Sequence, residues 1–353
     1  MTRILVLNLG STSSKIAVYE AHQCMWYDTI RHDIQLTNIS LLEQKPLRLK
    51  EIIYSLNLTS DYTIKNFEAI ACRGGLLKPM QGGVYHINNE MYEDLKAFKY
   101  GVHASNLSGM IGYELGIEMN IPAFIIDPVV VDELFDIAKV TGLKNIKRRS
   151  IFHALNQKAV ARLYASSIQQ AYEDVNVIVA HMGGGITIGA HKNGQVVDVN
   201  DGLLGEGPFS PERAGSLPND QLYEFGYKHN FTPEEMNHFL SKRGGFISMF
   251  KTNDLKLLSD KYDSNSEVKL AFDALAYQVS NAIGARSIIF RGQVDQIILT
   301  GGLSYNKLLV QKIISFVDWI APVTIYPGEK EMDTLALRTS NVLDGKEKVK
   351  VYS

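Results

Sequence analysis

The chain has 353 residues, enough for two domains at about 150 residues each. Lys and Arg number 36 against 38 Asp and Glu, a formal net charge of −2 with no block of five like charges, which argues against nucleic acid as a partner. A hydrophobic fraction of 45% with 21% charged residues excludes a disordered chain, and no apolar run approaches the ~18 residues of a membrane span.

The first apolar run, residues 4–9, is too short for a signal-peptide core and has no cleavage site after it, so a cytoplasmic protein is expected. It reads as a β-strand that stops at Gly10-Ser11-Thr12-Ser13-Ser14. Residues 15–20 alternate as a second strand, and residues 25–30 follow as a third. A helix is predicted over 47–57, then a strand over 67–72 that runs into Arg73-Gly74-Gly75. Residues 106–115 read as helix, and 123–126 as a strand ended by Asp127-Pro128. The crossover near 140–152 is the expected domain boundary, and residues 154–171 the next helix. The two cysteines, Cys24 and Cys72, sit in strand-like runs and are expected to be buried free thiols.

The pattern of the first thirty residues recurs near 175. A strand over 175–180 meets the turn His181-Met182-Gly183-Gly184-Gly185, then come strands 186–191 and 195–199 around an Asn193-Gly194 hairpin. A long amphipathic helix is predicted over 268–290, with Ala271, Leu275, Val279 and Ile283 on one face. A strand over 294–300 then runs into Gly301-Gly302, as the strand before Gly74-Gly75 does in the first half. The tail, 334–343, reads as a last helix. Such a repeat points to two related halves rather than a solenoid.

Two equivalent glycine turns suit a nucleotide's phosphates. Glycine lets the backbone approach closely, and backbone N–H groups with the Ser11, Thr12 and Ser13 hydroxyls can donate to phosphate oxygens. Neither turn is a P-loop or a Rossmann fingerprint.

At these motifs the chain resembles the acetate and butyrate kinases. Residues 8–15 (NLGSTSSK), His103-Ala104-Ser105-Asn106-Leu107-Ser108-Gly109, Phe152-His153, 181–185, Arg213-Ala214-Gly215 and Thr300-Gly301-Gly302 fall in that family's order over essentially the whole chain. The resemblance implies an α/β, duplicated actin-like (ribonuclease H-like) fold of two domains with the active-site cleft between them. The expected domains are 1–148, on the acyl-substrate side, and 149–333, which binds nucleotide, with a C-terminal helix of about 334–353 packing back on the first. It also implies ATP-dependent, reversible phosphorylation of a short-chain carboxylate by direct in-line transfer, with magnesium as cofactor and a homodimer or larger homo-oligomer. Arg73-Gly74-Gly75-Leu76-Leu77-Lys78-Pro79 and His181-Met182-Gly183-Gly184-Gly185 resemble the butyrate rather than the acetate kinases, with acetate, propionate or a branched acid as alternatives. Glycine at 74 and 75 is expected to leave room for a longer acyl tail. An actin-like ATPase without a carboxylate acceptor is the rival from another class.

By resemblance, Arg73 and Arg213 supply positive charge around the moving phosphoryl group, a task that the guanidinium fork suits. His153 would donate to that group in the transition state. His181 opens the second phosphate turn and His103 stands near the acyl pocket. Asp127 would orient the carboxylate or a magnesium-bound water, and Asn8 would contact the transferred phosphate. Gly183, Gly184 and Gly185 would hold phosphates, and Gly301 and Gly302 the adenosine. One of Glu331 and Asp333 would serve the metal, and Lys15 reads as a solvated strand residue.

Overall fold

The computed structural model describes residues 2–33, 39–59, 62–204 and 206–353. It divides into two units, Met1–Val131 with Lys330–Ser353, and Asp132–Glu329. The division falls at Val131, earlier than the 140–152 crossover.

The first unit is built on strands β1 (Arg3–Leu9), β2 (Ser13–Glu20), β3 (Gln23–Arg31), β4 (Ala69–Arg73), β5 (Val84–His86) and β6 (Ala123–Ile126). β1 pairs antiparallel with β2, and β2 with β3, while β4 runs parallel to β1 and β6 parallel to β4. β1 is central, and residues 4–9 are all buried, which is why they read as a continuous apolar run rather than an alternating one. β5 lies antiparallel on β6. The helix Leu41–Thr59 turns Arg48, Ile52 and Leu56 inward at a spacing of four, so an arginine sits in the core-facing stripe.

The second unit repeats the order. β7 (Val177–Met182), β8 (Ile186–Lys192) and β9 (Gln195–Val199) form the meander, and β10 (Gln296–Gly301) and β11 (Val323–Pro327) run parallel beside β7. The order β11-β10-β7-β8-β9 matches β6-β4-β1-β2-β3 strand for strand. The Asn193-Gly194 turn has positive φ at both residues (51° and 73°), as a two-residue hairpin with right-handed strand twist requires. The helix Ser266–Ser287 buries Ala271, Leu275, Val279 and Ile283, and Asn265 caps it by accepting from the backbone N–H groups of Glu267 and Val268.

One helix per unit is exchanged in chain order. Ala154–Ser167 follows β6 in sequence yet packs against β7 and β10, and Glu331–Leu343 follows β11 yet packs against β1 and β4. The second exchange carries Glu331 into the first unit. The C-terminal helix ends at Leu343 rather than 353. The last residues instead form β12 (Val349–Lys350), parallel to β5 at the edge of the first sheet.

Three other expectations need correction. β7 extends through His181 and Met182, so the turn begins at Gly183. Cys72 is buried, but Cys24 is exposed, because β3 is an edge strand with one side in solvent. Between Val199 and the long helix, Asn219–Lys228, Pro233–Lys242, Gly245–Phe250 and Leu255–Ser259 are helical where no element was predicted; Asn219–Lys228 buries no residue.

Candidate active site

In the first unit, the β1–β2 turn is held from below. Gly10 N–H donates to Ser13 O at 2.8 Å, and the buried Arg48 donates to Gly10 O at 2.7 Å and Ser11 O at 3.2 Å. Arg48 is in turn held by Gln44 Oε1 at 2.7 Å. With its carbonyls so engaged, the turn leaves Ser11 and Thr12 exposed and Ser13 half-buried. Lys15 stands half-buried on β2, in register with Asn8.

His32 braces the same turn, its Nε2 lying 2.8 Å from Ser14 Oγ and its Nδ1 3.2 Å from Glu51 Oε2. Burial, then the nearby Arg48 charge, lowers its pKa from 6.5 to about 4, against a smaller opposing pull from Asp33. The unfolded chain takes up this proton near 6.5 and the folded chain only near 4, so the stabilisation is complete above pH 6.5 and fades as pH falls toward 4. Urea midpoints measured between pH 7 and 4 should fall more steeply for the native protein than for His32→Gln.

Asn8 is buried at the end of β1, between an arginine and a carboxylate. Its Oδ1 accepts from Arg73 Nη1 at 3.3 Å, its Nδ2 donates to Glu331 Oε2 at 2.8 Å, and Arg73 Nη1 stands 3.5 Å from that oxygen. Glu331 opens its helix, where the N-terminal dipole favours a carboxylate. Asp333 is exposed and accepts instead from the Tyr19 hydroxyl at 2.7 Å, and burial with this bond pushes the tyrosine's pKa up. Of the two acids, Glu331 is therefore the one that stands with Arg73.

Gly74 and Gly75 do not open a void. A Cβ on Gly74 would lie 2.4 Å from Pro128 Cβ, and one on Gly75 2.4 Å from Asn106 Oδ1. Glycine here lets the Arg73 turn press against neighbouring backbone, which corrects the expectation of room for an acyl tail. Gly75→Ala should cost about 1–3 kcal/mol through overpacking, measurable by urea denaturation.

The His103–Gly109 motif is the scaffold of this region. Asn106 Oδ1 accepts from Leu76 N–H at 2.8 Å, and Ser108 Oγ accepts from Leu9 N–H at 3.0 Å. His103 is half-buried, and its Nδ1 accepts from Ser105 N–H at 3.1 Å, which leaves the ring proton on Nε2. Asp127, at φ 39°, shows no side-chain surface: Oδ1 accepts from Gly83 N–H at 2.7 Å, and Oδ2 pairs with Arg338, which also pairs with Glu347. In this structure Asp127 is a buried brace rather than an exposed ligand contact.

In the second unit, two imidazoles stack beside the Gly183–Gly185 turn. The rings of His153 and His181 lie 3.8 Å apart and 5° from parallel. Thr300 Oγ1 gives its proton to Gly328 O at 3.1 Å, so it must accept from Asn156 Nδ2 at 3.2 Å; that amide also lies 2.9 Å from His181 Nδ1. His181 Nδ1 thus accepts, and the proton sits on Nε2, the atom nearest a Cβ built on Gly183, at 3.4 Å.

Arg213 lies over the same turn. A Cβ on Gly185 would stand 2.2 Å from Arg213 Nη1, so glycine is required there for space, whereas Gly183 and Gly184 meet only ordinary contacts. Arg213 Nε is buried without a hydrogen-bond partner, and burial lowers the pKa of its guanidinium. A buried donor without an acceptor is costly, and an incoming anion would satisfy it.

Gly301 has φ 87°, and a Cβ there would lie 2.4 Å from Met182 O, so both its conformation and its surroundings call for glycine. Gly302 faces open space and lines a cavity of about 660 Å³ with Asn253, Lys256, Leu303, Tyr305 and Asn306. Among the described residues, no three His, Cys, Asp or Glu side chains form a metal-binding group, and no helix is long and apolar enough to cross a membrane.

The structure thus groups Asn8, Arg73 and Glu331 in one unit, and His153, His181, Arg213 and the Gly183–Gly185 turn in the other. Sequence reasoning missed Arg48, Asn156 and Arg338. Their signal is a polar residue in a core-facing register, as with Arg48, or the run Asn156-Gln157-Lys158 in the first turn of a buried helix.

Residues 131–321 match the model of the acetokinase family. The chain is 45% identical over 352 residues, 99% of its length and of the relative's, to a Clostridium botulinum protein named "Probable butyrate kinase". An acetate kinase from Porphyromonas gingivalis (17% identical) and a propionate kinase from Francisella tularensis (20%) each share the fold, at a TM-score of 0.77, over 97% of this chain and 100% of theirs. These matches carry the duplicated actin-like fold that the resemblance implied. The chain belongs to the acetokinase family, and it is a carboxylate kinase.

Proposed function

We propose that the protein transfers the γ-phosphoryl group of ATP to butyrate, giving butyryl phosphate and ADP. A carboxylate oxygen attacks the γ-phosphorus in line, the new P–O bond forms, and the bond to the β–γ bridging oxygen breaks with its electrons leaving on ADP. The observation that carries the phosphoryl-transfer reading is the donor set at the Gly183–Gly185 turn: a half-buried Arg213, whose Nε–H is buried and unsatisfied, with His181 and His153 at the same turn. Such preorganised donors stabilise charge that develops in a transition state. The choice of butyrate rests on the 45% identical relative.

Roles follow from placement. The exposed hydroxyls of Ser11 and Thr12, with Ser13, offer donors to phosphate, and Arg73 with Asn8 orients an anion in the first unit. His103 borders that region and presents its Nε2–H. Gly183, Gly184 and Gly185 give backbone approach to the phosphates. Gly302, with Gly301 directly before it, borders a cavity of a size that suits the adenosine. Magnesium, when bound, neutralises phosphate charge. Glu331, a buried carboxylate at a helix start, fits an ion that takes one or two carboxylates with phosphates and waters. Asp127 acts through Arg338, holding the strand end that carries it. The reading places the enzyme in the cytoplasm, where ATP is abundant.

Hydroxylamine trapping with MgATP and acetate, propionate, butyrate, isobutyrate and valerate tests the reading. Acyl hydroxamate should peak with the four-carbon acids. A peak at acetate would retain the chemistry and overturn the substrate. ATP hydrolysis with no hydroxamate from any acid would overturn the carboxylate acceptor.

A further inference from the structure

Behind His153 lies a row of buried polar side chains that the reading above does not use. Gln157 Nε2 is 3.0 Å from the carbonyl oxygen of Thr187 and 2.7 Å from its Oγ1. A carbonyl can only accept, so the nitrogen end of the amide must face Thr187. The Thr187 hydroxyl therefore accepts from Gln157 and has one proton to give. His153 Nδ1 stands 3.0 Å away from it.

The other end of the amide continues the row. Gln157 Oε1 lies 3.1 Å from His191 Nε2, and His191 Nδ1 lies 2.7 Å from the Tyr172 hydroxyl. An amide oxygen can only accept, so His191 donates from Nε2 and accepts from Tyr172 at Nδ1. Complete burial holds His191 well below its ordinary pKa, and the Lys158 and Arg162 charges push the same way, so the ring is uncharged, as that pattern requires. Thr187, Gln157 and His191 have no exposed surface. Two glycines keep the path clear: a Cβ on Gly189 would lie 2.3 Å from Gln157 Oε1, and one on Gly202 2.2 Å from Thr187 Cγ2.

We propose that Tyr172, His191, Gln157 and Thr187 form a one-way hydrogen-bond chain that bares Nδ1 of His153 and holds its proton on Nε2, making all four positioning residues for phosphoryl transfer. The proposal rests on the reading of His153 as a donor to the phosphoryl group. A chain that only satisfied buried groups could run in either direction. This one is directed by the Thr187 carbonyl, which forces the amide, which leaves the Thr187 proton nowhere to go but His153.

Two measurements test it. In the free, ¹⁵N-histidine-labelled protein, long-range ¹H–¹⁵N spectra, with His153 assigned from the His153→Phe variant, should show a bare Nδ1 and a protonated Nε2. A protonated Nδ1 overturns the chain. In the kinase assay, Thr187→Val should lower kcat about 10–100-fold with KM for ATP and butyrate changed less than about two-fold, the size seen when a partner that orients a catalytic ligand is lost. Thr187→Ser should recover most of that rate, and Tyr172→Phe should lose less than Thr187→Val. Native kcat in Thr187→Val, or equal losses in the valine and serine variants at native melting temperature, overturns the positioning role. A native protein that makes no acyl phosphate overturns the reading of His153 instead, and the spectrum still decides the chain.

Discussion

Replacing His153 by phenylalanine is expected to lower kcat about 10²–10³-fold, the loss typical of removing one preorganised donor from a transition state. Phenylalanine keeps a flat ring against His181, whose centroid lies 3.8 Å away, and removes the donor together with the Nδ1 that accepts from Thr187. The melting temperature should fall only by the cost of one buried unpaired hydroxyl, about 1–3 kcal/mol of stability, and KM for ATP should hold, because the Gly183–Gly185 turn and Arg213 are untouched. Steady-state kinetics on both substrates checks this. A rise in KM with unchanged kcat would make His153 a ground-state binding residue.

The largest stability effect is expected at Asp127. Asp127→Ala removes the partner of a buried guanidinium and leaves Gly83 N–H without its acceptor. Breaking a buried ion pair costs about 3–5 kcal/mol, because the remaining charge stays desolvated. Glu347 still faces Arg338, which places the loss toward the lower end. For a domain of this size that is roughly 10 °C in Tm. Calorimetry with kinetics on the same sample separates the roles: a brace loses Tm first, whereas a ligand contact loses kcat at native Tm.

The two sets of residues differ in how far the sequence reveals them. The meanders are legible because β1 and β7 are central strands whose apolar runs stop at glycine turns, and because Asn193-Gly194 is a turn of known chemistry. The duplication follows from the equal order of those signals. β12 is not legible, since two residues at a sheet edge carry no period. Of the four helices between Val199 and the long helix, Gly245–Phe250 and Leu255–Ser259 have too few residues to show a period, whereas Asn219–Lys228 and Pro233–Lys242 carry apolar residues at helical spacing that the reading passed over.

Within the site, Arg73, Arg213, His153 and His181 are legible through their motifs, but their supports are not. Arg48 reads as one more helical arginine until the register of Ile52 and Leu56 places it inward. Asn156, Gln157 and Thr187 read as ordinary polar residues, since burial is a property of what packs on them. Gly74 and Gly75 show the converse. Sequence reports that a Cβ is missing, and only the fold reports that Pro128 and Asn106 occupy the space. The choice between Glu331 and Asp333 needed the helix phase, which sets one on Arg73 and the other on Tyr19.

The most direct test of the account is the reverse reaction. Butyryl phosphate with MgADP should yield ATP, read by a luciferase-coupled assay, with a higher kcat/KM than acetyl phosphate under the same conditions. ATP formed from acetyl phosphate alone, or from neither acyl phosphate, would contradict it.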